Sequence, residues 1–310
     1  MTNILEVQDV CKTYDQYTAL DHVSVTVPKG AVFGLLGPNG AGKTSLIRII
    51  NQITAPDSGH ILFNNAHLHA DHTAAIGYLP EERGLYKKME VGEQAVYLAR
   101  LKGMSRPEAI KRLKYWFERF EITGWWRKKI EELSKGMQQK VQFIVTVVHE
   151  PSLLILDEPF TGFDPINANL IKDELLQMKE NGVTIVLSTH RMESVEELCT
   201  HIALINKSKK LLEGSVRDIR KSYRNNRYEF EVENADSTSL LNLLSNYQVL
   251  NNVQAGDYFR VQVHIDSPAE ANQLLQRVMS QATIHSYKEV LPSMNDIFIQ
   301  TVSQTSPGHE

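Results

Sequence analysis

Cysteine is scarce in this chain: only Cys11 and Cys199 occur among its 310 residues. Two cysteines cannot build a disulfide framework, which favours a reducing compartment such as the cytoplasm. The chain also lacks any apolar run that approaches the roughly 20 residues of a membrane-spanning helix. Its first residues lack the basic-then-apolar pattern of a secretory signal. If the protein works at a membrane, we therefore expect another chain to cross it.

Extremes of composition are absent as well. Hydrophobic residues make up 42% of the chain and charged residues 23%, which excludes collagen-like and disordered classes. The length predicts two domains, since one domain usually takes roughly 100–200 residues. The net charge is −4, yet residues 223–310 alone hold 5 basic and 10 acidic side chains. This uneven charge predicts a domain boundary near Tyr223.

Periodicity predicts an α/β core for the first part of the chain. Residues 4–10 and 23–27 alternate as half-buried strands do, and buried-type apolar runs occupy residues 31–36, 153–156 and 183–187. Each buried run is followed by polar residues and then by a helical pattern. Buried strands that alternate with helices predict a parallel sheet with helices on its faces. Residues 85–130 read as a helix-rich segment, with 12 basic and 5 acidic side chains.

The remainder of the chain predicts a small α+β domain. After a polar segment at residues 217–227 that reads as a linker or a connecting helix, strands are expected at 228–233, 248–253, 258–265 and 283–290. Helices are expected at 238–245 and 268–280, and an amphipathic piece at 294–302. Strand-helix-strand-strand-helix-strand is the ferredoxin-like order. That fold by itself says nothing specific about function.

A glycine-rich segment fits the pattern G-x-x-x-x-G-K-[ST] between a predicted strand and a predicted helix. Its glycines let successive backbone N–H groups point at phosphate oxygens, so the segment predicts a nucleotide site. Lys43 is expected to reach the β- and γ-phosphates, and the Thr44 hydroxyl to bind Mg²⁺. The residues predicted to bind the nucleotide here are Gly37, Pro38, Asn39, Gly40, Ala41, Gly42, Lys43, Thr44 and Ser45.

Two carboxylates end the buried run at residues 153–156. Because the carboxyl ends of parallel strands face the ligand crevice, Asp157 is expected to hold Mg²⁺ and Glu158 to orient or deprotonate a water. Ser134 is a predicted N-cap, and Gly136 lies in the first turn of the same helix, which suggests a second anion site. Nothing local brings that site to the phosphates at Lys43.

These motifs together resemble the ATP-binding subunits of ABC transporters over about residues 4–214. The resemblance implies a P-loop NTPase core with antiparallel β and α-helical subdomains, followed by the small α+β ferredoxin-like domain. It implies domain bounds of 1–216, with the helical subdomain at about 85–150, then 217–227 as linker and 228–310 as accessory domain. It implies ATP and Mg²⁺ as ligands, hydrolysis of ATP, and a head-to-tail homodimer. It also implies an integral-membrane permease as partner, with this chain on the inner face of the membrane.

The resemblance also implies roles for single residues. Glu158 matches the catalytic glutamate, and His190 matches the switch histidine that contacts the γ-phosphate. Ser134 and Gly136 match the signature motif, which would contact the nucleotide bound by the partner subunit. The remaining matches are Asp164 with the D-loop aspartate, Tyr14 with the adenine-stacking aromatic, and Glu81 with the Q-loop glutamine.

Some positions depart from the usual family pattern. Lys135 and Met137 replace a glycine and the glutamine of the signature motif, and the carboxylate of Glu81 would stand near the metal. Residues 79–86 and 133–137 look like the exporter branch whose permease is of the ABC-2 type, a branch that includes sodium-extrusion ATPases. Residues 292–298 match the end of the C-terminal extension of that branch.

Other interpretations stay open. A soluble ABC ATPase that acts on ribosomes or DNA is one, although the chain has one cassette and no heptad run. An ATP-gated regulator with low turnover is another. The basic segment at 85–130 is either a solvated helical face or a surface for a permease and anionic lipid; nucleic-acid binding is not favoured. The histidines at positions 60, 67, 69 and 72 lack a zinc spacing and predict a solvated loop.

Overall fold

The computed structural model describes residues 2–82, 84–233, 240, 242–256 and 258–304. The chain forms two compact units, Met1–Val216 and Arg217–Glu310. None of the described helices combines the length and the hydrophobicity needed to cross a bilayer.

Strands of the first unit form two sheets. The strands are β1 (Asn3–Tyr14), β2 (Tyr17–Pro28), β3 (Val32–Leu36), β4 (Ser58–Phe63), β5 (Ala66–His67), β6 (Ile76–Leu79), β7 (Leu153–Asp157), β8 (Thr184–Thr189), β9 (His201–Asn206) and β10 (Lys209–Ser215). An antiparallel sheet has the order β2-β1-β4-β5, and the central sheet has the order β10-β9-β3-β8-β7-β6. In the central sheet, only the pairing of β9 with β10 is antiparallel among the described strands.

Helices flank these sheets. They are α1 (Lys43–Ile50), α2 (Val91–Leu101), α3 (Arg106–Arg119), α4 (Lys135–Val147), α5 (Pro165–Glu180) and α6 (Met192–Leu198). A further helix, α7 (Val216–Ser222), begins at the last residue of this unit and otherwise belongs to the second. Every residue of β3, β7 and β8 is buried, as expected of parallel strands covered on both faces. The predicted α/β core is therefore confirmed.

The basic segment folds into helices with an aromatic cluster. Ser105 caps α3 by accepting a hydrogen bond from the backbone N–H of Glu108. The ring of Trp116 lies 5.8 Å from that of Phe120, and Trp126 lies 5.2 Å from Phe117, centroid to centroid. Trp126 and Trp116 are thus packing residues of this helical region.

The second unit is built on one antiparallel sheet. Its elements are β11 (Arg227–Glu233), β12 (Gln248–Ala255), β13 (Tyr258–His264), α8 (Pro268–Met279), β14 (Thr283–Glu289) and α9 (Met294–Gln304). The sheet order is β12-β13-β11-β14, the order of a ferredoxin-like fold. Its own core includes Phe230, Val261, Val263 and Leu274. Of the helix predicted at 238–245, residues 238, 239 and 241 lie outside the described residues, residues 240, 242 and 243 are helical, and residues 244 and 245 form a turn. A helix, α7, occupies part of the segment predicted as linker or connecting helix.

Candidate nucleotide site

The loop between β3 and α1 requires glycine at two positions. Gly37 has φ 150° and Gly42 has φ 113°, both outside the region that other residues favour. A Cβ on Gly37 would lie 2.1 Å from the carbonyl oxygen of Ile205, and a Cβ on Gly42 would lie 2.3 Å from that of Ala19. The loop therefore wraps against β9 and β2 more closely than any other side chain allows.

Lys43 begins α1 and turns back into this loop. Its Nζ donates hydrogen bonds to the carbonyl oxygens of Gly37 at 2.7 Å and Pro38 at 3.1 Å. Burial lowers the pKa of Lys43, and the carboxylates of Glu158, Asp157 and Glu81 act in the opposite direction. The ammonium group is thus held inside the loop and surrounded by acidic side chains.

Thr44 and Asp157 meet across the site. The Thr44 hydroxyl donates to Oδ2 of Asp157 at 3.4 Å, and Asp157 is 3% exposed at the end of β7. Burial raises the pKa of Asp157, and the charge of Glu158 adds to the rise. A buried carboxylate beside a hydroxyl offers the hard oxygen ligands that Mg²⁺ prefers. These two residues therefore fit a magnesium site.

Glu158 follows directly and has an unusual backbone. Its φ is 49°, which is uncommon outside glycine, and its N–H donates to the carbonyl oxygen of Ser188 at 2.9 Å. Its Oε1 accepts from the backbone N–H of His190 at 2.9 Å and lies 2.6 Å from the Nδ1 of that residue. Because β7 and β8 are parallel neighbours with Asp157 opposite Ser188, the residues that follow the two strands meet at one edge.

These groups line a single cavity of about 310 Å³. Most predicted residues of the phosphate loop lie on its wall, together with the carboxylates of Asp157, Glu158 and Glu81. The lining residues are Tyr17, Asn39, Gly40, Ala41, Gly42, Lys43, Thr44, Ser45, Glu81, Asp157 and Glu158. His190 reaches the site through its contact with Glu158.

Tyr17 is a lining residue that the sequence analysis missed. Tyr14 and Tyr17 pair across the turn between β1 and β2. The hydroxyl of Tyr17 donates to the carbonyl oxygen of Gly40, whereas Tyr14 lies 5.4 Å below the Nζ of Lys12, measured to the ring centroid. The stacking role of Tyr14 stays a prediction.

Seven of the predicted site residues do not line this cavity. Four of them, Tyr14, Gly37, Pro38 and His190, are described above, and the other three, Ser134, Gly136 and Asp164, lie at the starts of helices. Ser134 caps α4 by accepting from the N–H of Met137 at 3.3 Å. A Cβ added to Gly136 would meet no heavy atom within 4 Å, so the space beside this residue is open. Asp164 caps α5, and hydrogen bonds from the backbone and side chain of Asn167 lower the pKa of its carboxyl group. All three thus belong to helix starts away from the cavity wall.

The histidines of residues 60–72 do not converge. Ring centroids of His60 and His67 are 5.1 Å apart, and those of His69 and His72 are 6.1 Å apart. Over the residues that the structure describes, no group of three metal-ligating side chains forms here. The prediction of a loop is wrong in part, because His60 lies on β4, His67 on β5 and His72 in a 3₁₀-helix at Ala70–Ala75.

Family models match both parts of the chain. Residues 20–161 match the model described as ABC transporter, and residues 214–302 match the C-terminal domain of ATP-binding proteins like DrrA1-3.

Individual proteins match at length. An uncharacterized ABC transporter ATP-binding protein, YhaQ of Bacillus subtilis, is 40% identical over 96% of this chain and 98% of its own length. The Nod factor export ATP-binding protein I of Cupriavidus metallidurans is 32% identical over 71% of this chain and 73% of its own. A solved dimer of an ATP-binding cassette with ADP and phosphate has a TM-score of 0.64 at 23% identity. It covers 69% of this chain and 99% of the cassette, and supports the fold.

Proposed function

This chain belongs to the ABC transporter ATP-binding proteins, a family that hydrolyses ATP, and we propose that it powers a separate ABC-2-type membrane permease as part of an exporter. The observation that carries the proposal is the single cavity in which Lys43, Thr44, Asp157 and Glu158 converge. The relative named as a Nod factor export protein supports the direction of transport.

In the proposed reaction, the phosphates of ATP lie along the loop at residues 37–45. Lys43 binds the β- and γ-phosphates, and Thr44 and Asp157 hold Mg²⁺, which supplies positive charge that stabilises the transferred phosphoryl group. Glu158 accepts a proton from the attacking water, so that ATP and water give ADP and phosphate. His190 donates to Oε1 of Glu158 through its backbone N–H and thereby positions the general base.

We infer that the complete site needs a second copy of the chain. Ser134 and Gly136 stand at the start of α4, a helix of 13 residues whose N-terminal N–H groups suit an anion. Neither lines the cavity of its own chain in the described structure. A head-to-tail homodimer would bring them, with Asp164, to the nucleotide held by the partner. A solved cassette of the same fold is itself dimeric.

The permease would hold the chain at the inner face of the cell membrane. Glu81 lines the cavity and follows β6 by two residues, so it is suited to link nucleotide state to that partner. The transported substrate would be bound by the permease rather than by this chain.

Replacement of Glu158 by Gln tests the catalytic assignment. Because the amide cannot take up a proton, we expect the steady-state ATPase rate to fall about 10²–10⁴-fold while ATP binding, measured by equilibrium dialysis, persists. ATP should also trap this variant as a dimer in light scattering. Glu180→Gln, at the exposed end of α5, is the matched control and should hydrolyse ATP normally.

Full turnover by Glu158→Gln would refute the role of Glu158. Negligible turnover by the unmodified chain, with or without a permease, would favour the ATP-gated regulator instead. A soluble non-transport ATPase would be favoured if no integral-membrane protein co-purified with the chain and changed its ATPase rate.

A further inference from the structure

A second group of ligand-type side chains lies on the β1–β2 hairpin. Asp9 and Cys11 are on β1, and Asp21 and His22 are on β2. Neighbouring residues of a regular strand point to opposite faces, so Asp21 and His22 would normally diverge. Here the pairing of β1 with β2 shifts register between Val7 and Val10 and again between Val10 and Lys12. These irregularities re-aim the side chains.

The backbone at these irregularities is left-handed. Asp9 has φ 53° and His22 has φ 52°, values that non-glycine residues adopt uncommonly. As a result, one ligand atom from each of Cys11, Asp21 and His22 lies within 4.8 Å of the others. Among the described residues, these three side chains form the one group of three or more histidine, cysteine or acidic side chains whose ligand atoms lie this close together.

Hydrogen bonds orient the three ligand atoms. The backbone N–H of His22 donates to Sγ of Cys11 at 3.3 Å. Nε2 of His22 lies 3.9 Å from Oδ1 of Asp21. The other oxygen of Asp21 pairs with Nζ of Lys209 at 3.2 Å, so Oδ1 is left to face the histidine.

The carboxylate of Asp9 contacts the ring of His22 at Nδ1, the nitrogen that does not face Asp21. Its Oδ1 lies 2.8 Å from Nδ1 of His22. With the proton on Nδ1 and shared with Asp9, the lone pair of Nε2 points toward Asp21. A carboxylate behind a ligating histidine is the usual support of metal sites, since it sets the tautomer and the ring orientation.

We propose that Cys11, Asp21 and His22 form a zinc site, with Asp9 as its supporting carboxylate. Thiolate, imidazole and carboxylate are all ligands of Zn²⁺, and three of them leave a fourth position for water. Bonds of about 2.0–2.3 Å would place tetrahedral ligand atoms roughly 3.3–3.8 Å apart. The ligand atoms, which lie within 4.8 Å of one another, would therefore have to approach by up to roughly 1–1.5 Å. The thiol of Cys11 releases its proton to solvent on binding. The oxygen ligands Thr44 and Asp157 suit Mg²⁺ instead, which separates the two sites.

Cobalt replaces zinc as the probe in the test. The untagged full-length chain is dialysed against chelator and titrated with Co²⁺ without nucleotide. We expect one equivalent to bind with a near-ultraviolet thiolate-to-cobalt band, which Zn²⁺ then abolishes. Cys11→Ser should lose the band, whereas Cys199→Ser, which removes the buried second thiol, should keep it.

Two further variants make the test specific. Asp9→Asn should keep the band but bind Zn²⁺ about 10–100-fold more weakly, as expected for a supporting residue. Asp157→Asn should leave zinc binding unchanged, because it alters the nucleotide site. Thermal unfolding of the metal-free variants checks that each variant is folded. If Cys11→Ser is not folded, the variant Asp21→Asn is tested in its place. A band that persists in Cys11→Ser, or zinc binding that depends on His60 and His67 instead, would overturn the proposal.

Discussion

At the scale of single residues, burial sets the charge of His149. This residue lies just beyond α4, and burial lowers its pKa to about 4, with the positive charges of Lys102 and Arg112 acting in the same direction. The unfolded chain would bind a proton at this histidine near pH 6.5. Between these pH values the unfolded state binds more protons than the folded state, so stability falls as the pH falls.

Replacement of His149 by Gln should therefore flatten the acid side of the stability profile. Between pH 7 and pH 5 we expect the free energy of unfolding of the unmodified chain to lose about 2 kcal/mol that the variant does not lose. Denaturant titrations at both pH values measure the difference. His67→Gln, at an exposed histidine, should retain the full pH dependence. If the free energy of unfolding depended on pH equally in the unmodified chain and in His149→Gln, the prediction would be contradicted.

Some site residues can be predicted from the sequence and others cannot, for a physical reason. The loop at residues 37–45 and the pair Asp157 and Glu158 follow buried runs directly, so local pattern alone predicts that they face one crevice. Tyr17 enters the site through a hydroxyl contact with Gly40, 23 residues away. Such a contact depends on how a hairpin lies against a loop, which no local pattern encodes.

At the scale of elements, the β1–β2 hairpin carries Tyr14 and Tyr17 on either side of its turn, and Tyr17 lines the cavity. Stacking of adenine on Tyr14 would contribute about 1–3 kcal/mol. Tyr14→Ala should therefore weaken ATP binding by roughly 5–150-fold and leave the binding of inorganic triphosphate, which has no base, unchanged. Fluorescence competition measures both affinities.

Variants at Tyr17 provide the comparison. Tyr17→Phe removes only the hydroxyl that contacts Gly40 and should change ATP affinity little. If Tyr17→Ala weakens ATP but not triphosphate, and Tyr14→Ala has no effect, then Tyr17 is the stacking residue and the assignment of Tyr14 is wrong.

The bounds predicted from the sequence agree best with the structure for strands that are buried on both faces. The runs predicted at 153–156 and 183–187 correspond to β7 and β8 within two residues. By contrast, β1 and β2 are each 12 residues long, well beyond the alternating segments at 4–10 and 23–27. Register shifts interrupt the alternation of these strands, and so the period-2 pattern ends before the strands do.

At the scale of the whole molecule, the two units have separate cores. One core includes Leu46, Ile155 and Val186 of the first unit, and another includes Val232, Val263 and Leu274 of the second. The uneven charge of the sequence anticipates that the two parts differ, but the sequence assigns no chemistry to the second. Separate cores predict separate responses to a core mutation.

Leu274→Ala tests whether the second unit supports catalysis. Leu274 is fully buried in α8, so truncation should cost the second unit about 2–5 kcal/mol and lower its calorimetric transition by roughly 10 °C or more. We expect the ATPase rate to be unchanged at temperatures where both units stay folded, because every residue that lines the nucleotide cavity lies in the first unit. Leu154→Ala, equally buried in β7 beside the site, should instead lower the first unit's transition and the rate together. If Leu274→Ala alone lowered the rate under those conditions, the second unit would have to act on the catalytic unit, and independence would be refuted.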